Sequence, residues 1–324
     1  MRIEQTTQFL YENIGEEIKI TACRSLDEAI CIPEEIGGYP VTEIGDYAFS
    51  DSGKQQENQM GTGSCPNVRE RTEQPLPYLC GKRLKEVHLP KSIRKIGRYA
   101  FYNCTMLAEL SCSSNIQDLG SGFFTGCRRI GHIQIKVRED EKSCLKDLLS
   151  ELRQMLTVTY ESQRGKAMLL FPEFFEESVE NTPARLLEIR THGCGHRYRY
   201  CFDKTKFQFH EYDELFPHVK AQEPEEIVSR LALGRLQFPY ELGKNAKNEY
   251  EGYVKDHIKS AFTILLEQRE LDTLKWLLSQ WTFQKEEVDE AIQMANDYHY
   301  VEALGYLMDY CHENYKIKKR KFEL

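Results

Sequence analysis

The sequence repeats itself with a period of 23 residues in its N-terminal half. The segment from Leu84 to Phe101 reads LKEVHLPKSIRKIGRYAF, and the segment from Leu107 to Phe124 reads LAELSCSSNIQDLGSGFF. A fixed period of about 20 to 29 residues with an L-x-x-L-x-L core is typical of stacked units, each too small to bury its own apolar face. The period therefore predicts an architecture in which each unit is stabilised by its neighbours.

Further copies flank these two. The segment from Ile30 to Phe49 contains the same strand, a proline and the same Ile-Gly-x-x-Ala-Phe ending, and another strand begins at Ile130. Strand alternation places Leu84, Val87 and Leu89 in the core and the residues between them on a concave surface. The Ile-Gly-x-x-Ala-Phe segment predicts a tight turn into a short helix. The phenylalanines that end the three units, Phe49, Phe101 and Phe124, are expected to stack as a column.

This pattern resembles the BspA-like leucine-rich repeat family of bacteria, whose units combine a strand ending in Leu-Pro with Ile-Gly-x-x-Ala-Phe and a following cysteine. The resemblance covers residues 18 to 137. Two positions depart from it, Ser113 in place of the strand-ending proline and Phe123 in place of alanine. The resemblance implies a solenoid that recognises proteins, often at cell surfaces.

A polar, glycine-rich insertion separates the first unit from the second at about residues 51 to 76. Such a composition buries too little apolar area to order itself, so we expect a disordered loop, with the repeat resuming near Tyr78. Its deletion is expected to leave the thermal midpoint nearly unchanged, because loop length costs only about 0.6 kcal/mol per doubling.

Residues 139 to 157 show a helical apolar periodicity, formed by Leu145, Leu148, Leu149, Leu152, Met155 and Leu156. We interpret this segment as a helix that closes the solenoid. Strands are predicted at 166 to 172, from Leu186 to Ile189, and at 197 to 202.

Helices are predicted beyond Glu223, at 225 to 236 and 246 to 266. Eight apolar or aromatic positions then recur at an offset of 30: Ile258, Ala261, Leu265, Leu271, Leu274, Trp276, Leu277 and Leu278 align with Val288, Ala291, Ala295, Val301, Leu304, Tyr306, Leu307 and Met308. The helix pairs are similar to degenerate ankyrin-like repeats, although the Thr-Pro-Leu-His signature is absent.

The predicted fold class is α+β, a leucine-rich repeat solenoid followed by an α-helical repeat domain. The predicted domains are a solenoid at 1 to 160, a strand-containing connection at 161 to 222, a helical domain at 223 to 315 and a basic tail at 316 to 324. We expect the two halves to dock rigidly, because no Pro/Gly/Ser linker separates them.

One cluster has the residue types of a metal or thiol site. On a strand, His192, Cys194 and His196 share a face, but Cys201 has the opposite parity and a fourth ligand is missing. The favoured interpretation is a glycine-hinged strand with Tyr198, Tyr200 and Phe202 packed inward and Arg197 and Arg199 solvated. Cys104 and Cys127, 23 residues apart, are expected to be small buried residues that close equivalent turns rather than a redox or metal pair.

Charge and hydropathy limit the partners and the compartment. The formal net charge of −8 and the pI of about 5.7 oppose nucleic-acid binding, despite the basic tail 316 to 321 and the Arg-Tyr-Arg-Tyr run from Arg197. No segment reaches the roughly 18 apolar residues that span a bilayer, and the segment from Met1 to Asn13 lacks the pattern of an export signal. The eleven cysteines are unevenly spaced. We therefore expect a cytoplasmic protein with reduced thiols and no membrane insertion.

The functional hypothesis is a noncatalytic protein-binding scaffold without a cofactor, whose protein partner is unknown. The alternatives are a surface-associated adhesin-like protein and a zinc-dependent or thiol enzyme centred on His192, Cys194 and His196. The candidate binding residues are Glu86, His88, Glu109, Ser111, His132 and Gln134 on the strands, and Trp281, Phe283, Tyr298 and Tyr300 in inter-helix turns. Four strands span only about 15 Å, so we expect the strand residues to form a weak surface and binding to use the junction or the helical domain.

Overall fold

A computed structural model describes residues 7–51, 76–138, 143–181 and 186–315. The chain forms two compact units with their boundary between Tyr212 and Asp213. Most of the expected insertion at 51 to 76 and the basic tail at 316 to 324 lie outside the described residues.

The first unit is a solenoid of short strands. Its strands are β1 Thr7–Ile14, β2 Glu17–Ser25, β3 Ala29–Cys31, β4 Glu35–Ile36, β5 Tyr39–Ile44, β6 Glu86–His88, β7 Lys95–Ile96, β8 Glu109–Ser113, β9 Asp118–Leu119, β10 His132–Lys136, β11 Leu156–Ser162, β12 Gly165–Phe171, β13 Phe175–Asn181, β14 Leu186–His192, β15 Phe202–Asp203 and β16 Lys206–Phe207. Its short helices are a 3-10 turn at Gly81–Arg83, α1 Leu145–Ser150, α2 Gly195–Tyr198 and α3 Phe209–Glu214, which crosses the boundary.

Two sheets run along the solenoid. One has the order β1-β2-β5-β7-β9 with β4 paired to β5, and the other has the order β12-β11-β10-β8-β6-β3. The parallel register aligns Val87 with Leu110 and Leu110 with Ile133, so that apolar residues one period apart form a continuous core row. Leu84, Val87 and Leu89 are buried, which confirms the predicted inward positions.

Phenylalanines form the expected column. The rings of Phe49 and Phe101 stack 5.3 Å apart, those of Phe101 and Phe124 lie 5.7 Å apart, and all three are buried. The short helix expected after Ile-Gly is wrong, because these residues form turns that use their backbone groups between repeats. The N–H of Phe49 donates to the carbonyl of Ala100 at 2.8 Å, and the N–H of Phe101 donates to that of Phe123 at 3.0 Å.

The glycine of each repeat permits close approach between coils. A Cβ on Gly97 would lie 2.4 Å from the backbone N of Asp46, and one on Gly120 would lie 2.3 Å from that of Arg98. These distances are far below van der Waals contact with atoms that have little freedom to move. The motif therefore requires glycine because backbone packs directly on backbone.

The end of the solenoid differs from the predicted closing helix. Only α1, Leu145–Ser150, is helical, and the apolar run continues into β11, which extends the parallel sheet from β10. The edge strand β12 is covered by residues that follow it. The hydroxyl of Tyr212 accepts from the N–H of Leu170 at 3.0 Å and donates to its carbonyl at 2.7 Å, and Phe209 packs on Tyr160 with ring centroids 5.2 Å apart.

The strand predicted at 197 to 202 is also wrong, since residues 195–198 form α2 and only Phe202 enters a strand. Arg199 is buried rather than solvated, and Tyr200 is exposed rather than packed inward. The guanidinium of Arg199 donates to four carbonyls, those of Leu152, Gln154, Pro172 and Gly195. These hydrogen bonds hold the segment in place, and they explain why a strand pattern read from local sequence fails. The strands predicted at 166 to 172 and from Leu186 to Ile189 are confirmed by β12 and β14.

The second unit is helical. Its helices are α4 Phe216–Gln222, α5 Glu225–Gln237, α6 Lys244–Asp256, α7 Ile258–Glu267, α8 Leu271–Gln280, α9 Lys285–Asp297 and α10 Val301–Asn314. The helix predicted at 246 to 266 is divided at His257, and helices begin before Glu223. The offset of 30 reappears in the backbone, because Arg269 and His299 both adopt left-handed φ angles, of 57° and 51°, between the helices of a pair. The helical repeat is thus present, but an ankyrin-like relationship remains a prediction.

A buried ion pair joins α3, α5 and α6. The Arg235 guanidinium donates to both carboxylate oxygens of Asp213, at 2.8 and 2.9 Å, and the hydroxyl of Tyr250 donates to one of them at 2.8 Å. Arg235 also donates to the carbonyl of Tyr240. Each buried charge therefore has polar partners, which such a group requires.

Candidate protein-binding surfaces

The six strand residues predicted from the sequence lie together on one face of the sheet. Glu86, Glu109 and His132 form one row across β6, β8 and β10, and His88, Ser111 and Gln134 form a second row. We call these six residues the strand face. Their placement follows from the period, because a 23-residue spacing brings equivalent residues into register on neighbouring parallel strands.

The strand face is polar and about half-exposed. Its Glu86 and Glu109 are Cα partners on adjacent strands. Each lies near a histidine, with Glu86 Oε2 3.8 Å from His88 Nε2 and Glu109 Oε2 3.9 Å from His132 Nδ1. Lys or Arg partners of these two carboxylates do not occur among the ion pairs of the described residues. Like charges directly opposite one another are destabilising, so this arrangement favours an external cation.

The sheet is wider than the sequence predicted. It has six strands instead of four, which corresponds to roughly 24 Å across at the usual strand spacing. The added strands bring Glu161 and Lys166 to the same side, where Gln134 Nε2 donates to Glu161 Oε1 at 3.1 Å and Lys166 pairs with Glu161. The signal for β11 was the alternation of Thr157 and Thr159 with apolar residues. Helical periodicity obscured it because the two patterns overlap at Leu156.

The four aromatic candidates of the helical unit have different environments. Phe283 is buried against Phe262, with ring centroids 5.7 Å apart, and Tyr300 is buried with its hydroxyl donating to the carbonyl of Arg269 at 3.0 Å. These two are therefore excluded as exposed anchors. Trp281 is partly exposed with the Lys255 ammonium over its ring, and Tyr298 is exposed.

The cluster His192, Cys194 and His196 does not share a strand face. The strand β14 ends at His192, Gly193 turns the chain with a φ of 88°, and His196 lies in α2. His192 stacks on Phe175 at 4.7 Å, Cys194 is buried, and His196 packs between Phe174 and Tyr200. Within the part of the chain that the structure describes, no group of three His, Cys, Asp or Glu residues has the geometry to hold a metal ion.

The cysteines are packing residues of the solenoid. The Cys104 thiol donates to the carbonyl of Phe49 at 3.1 Å, and the Cys127 thiol donates to that of Phe101 at 3.0 Å. Both are buried, which confirms the sequence interpretation of a small residue that closes each turn. Hydrogen bonding to Cys127 and burial raise the pKa of Cys104, and burial raises the pKa of Cys23 to about 12. The ten cysteines of the described residues are free, and thiols with raised pKa values are poor nucleophiles.

In the described residues, the helices are too short or too polar to cross a bilayer. No curated protein matches the chain. Among solved structures, the crystal structure of the T. pallidum leucine-rich repeat protein is similar at 22% identity, covering 39% of this chain and 68% of that one with a TM-score of 0.22, which carries no structural argument. Residues 76–160 match the family model described as BspA type leucine rich repeat region, in six copies. The first unit is accordingly a leucine-rich repeat solenoid, and it is followed by a helical region.

Proposed function

We propose that this chain is a noncatalytic protein-binding scaffold and that the strand face is its principal binding surface. The observation that carries the proposal is the pair of adjacent carboxylates of Glu86 and Glu109, which are half-exposed and in register on neighbouring strands. The leucine-rich repeat fold supports a role in protein interaction in general.

The partner would present a basic side chain to this pair. A guanidinium or ammonium group between Glu86 and Glu109 would relieve the repulsion between the two carboxylates. Arginine is also common among the residues that dominate binding energy at interfaces. The surrounding polar groups of Ser111 and Gln134 would then provide hydrogen bonds that fix the orientation of the bound segment.

Trp281 and Tyr298 of the helical unit are proposed as additional anchors. Tryptophan and tyrosine provide a large contact area for little loss of conformational entropy, and both side chains have exposed surface. Phe283 and Tyr300 are left out because their burial commits them to the core of the helical unit.

The proposed setting is a reducing compartment such as the cytoplasm. The free cysteines of the described residues, including the stacked Cys104 and Cys127, support it. The adhesin-like and the zinc or thiol enzyme alternatives receive no support from the described residues, and buried thiols with raised pKa values oppose a cysteine nucleophile.

The test is affinity capture from the source cell with the full chain, followed by titration of the captured protein. The double variant Glu86→Lys/Glu109→Lys is expected to weaken binding at least about tenfold, since it reverses the charge of the proposed cation site. The control is Glu16→Lys/Glu35→Lys, which changes the net charge equally at exposed positions outside the strand face.

A separate double variant, Trp281→Ala/Tyr298→Ala, measures the contribution of the helical unit. Equal binding by the wild type and the Glu86→Lys/Glu109→Lys variant would refute the strand face as the principal site. If only the tryptophan and tyrosine variant loses binding, the scaffold function stands and the binding surface belongs to the helical unit.

A further inference from the structure

The hairpin of β13 and β14 forms a sheet of its own. Neither strand pairs with any other strand in the described part of the chain, so both outer edges are available for backbone hydrogen bonds. A two-stranded ribbon is at best marginally stable alone in water. Two large apolar side chains on it, Phe175 and Ile189, are 57% and 62% exposed.

The two edges of this hairpin differ in charge. Strand β13 carries Glu176, Glu177 and Glu180 without a basic residue, whereas β14 carries Glu188 and Arg190 on either side of Ile189. Glu188 and Arg190 are close enough to pair within one chain, with Arg190 Nη2 3.1 Å from Glu188 Oε2. An acid and a base two positions apart on one strand make that strand complementary to itself when it runs antiparallel.

We propose that β14 pairs antiparallel with β14 of a second copy of this chain, about a two-fold axis at Ile189, to give a four-stranded sheet. In that register Ile189 faces Ile189 of the second copy, and Glu188 faces Arg190 in both directions. Opposite charges directly across a strand pair stabilise it, and like charges destabilise it.

Other pairings are disfavoured by the same rule. Moving the axis by one residue places Glu188 against Glu188 or Arg190 against Arg190. Pairing of β13 with itself about Ser178 places Glu176 against Glu180 twice. The charge pattern therefore selects both the edge and the register.

The contact would also cover the exposed Ile189 and supply backbone partners to a free strand edge. Edge strands with exposed apolar residues are templates for pairing with another chain unless charge or shape prevents it. Here the charges are arranged to permit one symmetric pairing. A two-fold contact of this kind closes on itself and gives a dimer rather than a fibre.

The test is sedimentation of the full chain over a range of about 1 to 200 µM, where a strand-edge dimer of modest affinity would dissociate and form. The wild type is expected to show a concentration-dependent dimer. Glu188→Arg places arginines against each other and should raise the dissociation constant at least about tenfold. The double variant Glu188→Arg/Arg190→Glu restores opposite charges across the axis and should recover dimerisation. Glu180→Arg, on the other strand, is the control and should dimerise like the wild type.

Crosslinking tests the register independently of charge. Ile189→Cys should form an intermolecular disulfide readily under mild oxidation, because both copies contribute residue 189 at the axis. Thr191→Cys is the matched control, since its two copies would lie roughly 13 Å apart along the strands. Circular dichroism melting curves verify that each variant remains folded.

A wild-type chain that stays monomeric at 200 µM would overturn the proposal. A dimer that is indifferent to Glu188→Arg, or that the double variant fails to restore, would place the interface elsewhere and also overturn it. Equal crosslinking at positions 189 and 191 would refute the register.

Discussion

The two units solve the problem of stacking repeats in different ways. In the solenoid, backbone groups of one repeat bond to those of the next, as in the hydrogen bond from Tyr99 N–H to the Ser121 carbonyl. In the helical unit the backbone hydrogen bonds are mostly satisfied within each helix, and neighbouring helices meet through side chains such as Ala261 and Ala291. Backbone contact demands a fixed repeat length and small residues at fixed positions, whereas side-chain contact tolerates substitution.

This difference explains why one repeat is clear in the sequence and the other is degenerate. The second helix pair keeps the buried positions of the first only in part: Leu278 is buried, while Met308, 30 residues later, is 56% exposed. Where side chains alone define a repeat, each pair adapts to its neighbours. The following predictions test the contrast, from the largest expected effect to the smallest.

The largest effect is expected at the one place where the helical unit depends on a specific polar contact. Asp213→Ala should lower the free energy of unfolding by about 3 to 5 kcal/mol, because it leaves the buried Arg235 charge without its carboxylate. Urea unfolding followed by circular dichroism measures the change. Glu251→Ala, which removes an exposed pair with Lys247, is the control and should cost less than about 0.5 kcal/mol. Similar values for the two variants would contradict the prediction.

The next effect tests backbone contact in the solenoid. Gly97→Ala should cost about 3 kcal/mol, because the added methyl group would lie 2.4 Å from the Asp46 backbone N and the coils would have to separate. The thermal midpoint and urea unfolding measure the loss. A neutral substitution would show that the coils are loosely packed and would remove the basis of the comparison.

The same substitution should have the opposite sign in the helical unit. Gly252→Ala lies within α6, where an added Cβ meets nothing within 4 Å. We expect a gain of about 0.5 to 1 kcal/mol, because alanine loses less conformational entropy than glycine in a helix. A loss measured under the conditions used for Gly97→Ala would mean that this helix position is packed.

The smallest effect concerns an ion pair on the solenoid surface. The Arg94 guanidinium and then the Thr42 hydroxyl lower the pKa of Glu17 below its ordinary value of 4.5. The folded state therefore binds a proton less readily than the unfolded state, so the pair stabilises the fold above pH 4.5 and loses this effect as pH falls through the lower folded pKa. Glu17→Gln should cost about 0.5 kcal/mol or less at pH 7, because both groups are partly exposed. The measurement is urea unfolding of both proteins from pH 7 to pH 3, and a difference that grows on acidification would contradict the assigned sign.

Much of the solenoid and the strand face could be predicted because they follow from local periodicity. The inward positions of Leu84 and Val87, the phenylalanine column and the grouping of Glu86 with Glu109 all result from alternation and a fixed period. The interpretation failed at the ends of the repeat, where α1 gives way to β11 and where Arg199 is buried. These positions are determined by distant carbonyls and by the neighbouring strand, neither of which leaves a periodic pattern.

The sequence by itself determined the repeat, its inward and outward residues and the helical character of the C-terminal part, because these depend on spacings of one to a few residues or on a constant period. Only the tertiary structure decided which side chains remain exposed. Phe283 and Tyr300 were equivalent in sequence to Trp281 and Tyr298 as turn aromatics, yet they are buried. Exposure depends on what packs from elsewhere in the chain, and the free edge of β14 is likewise visible only once every described strand has its partner.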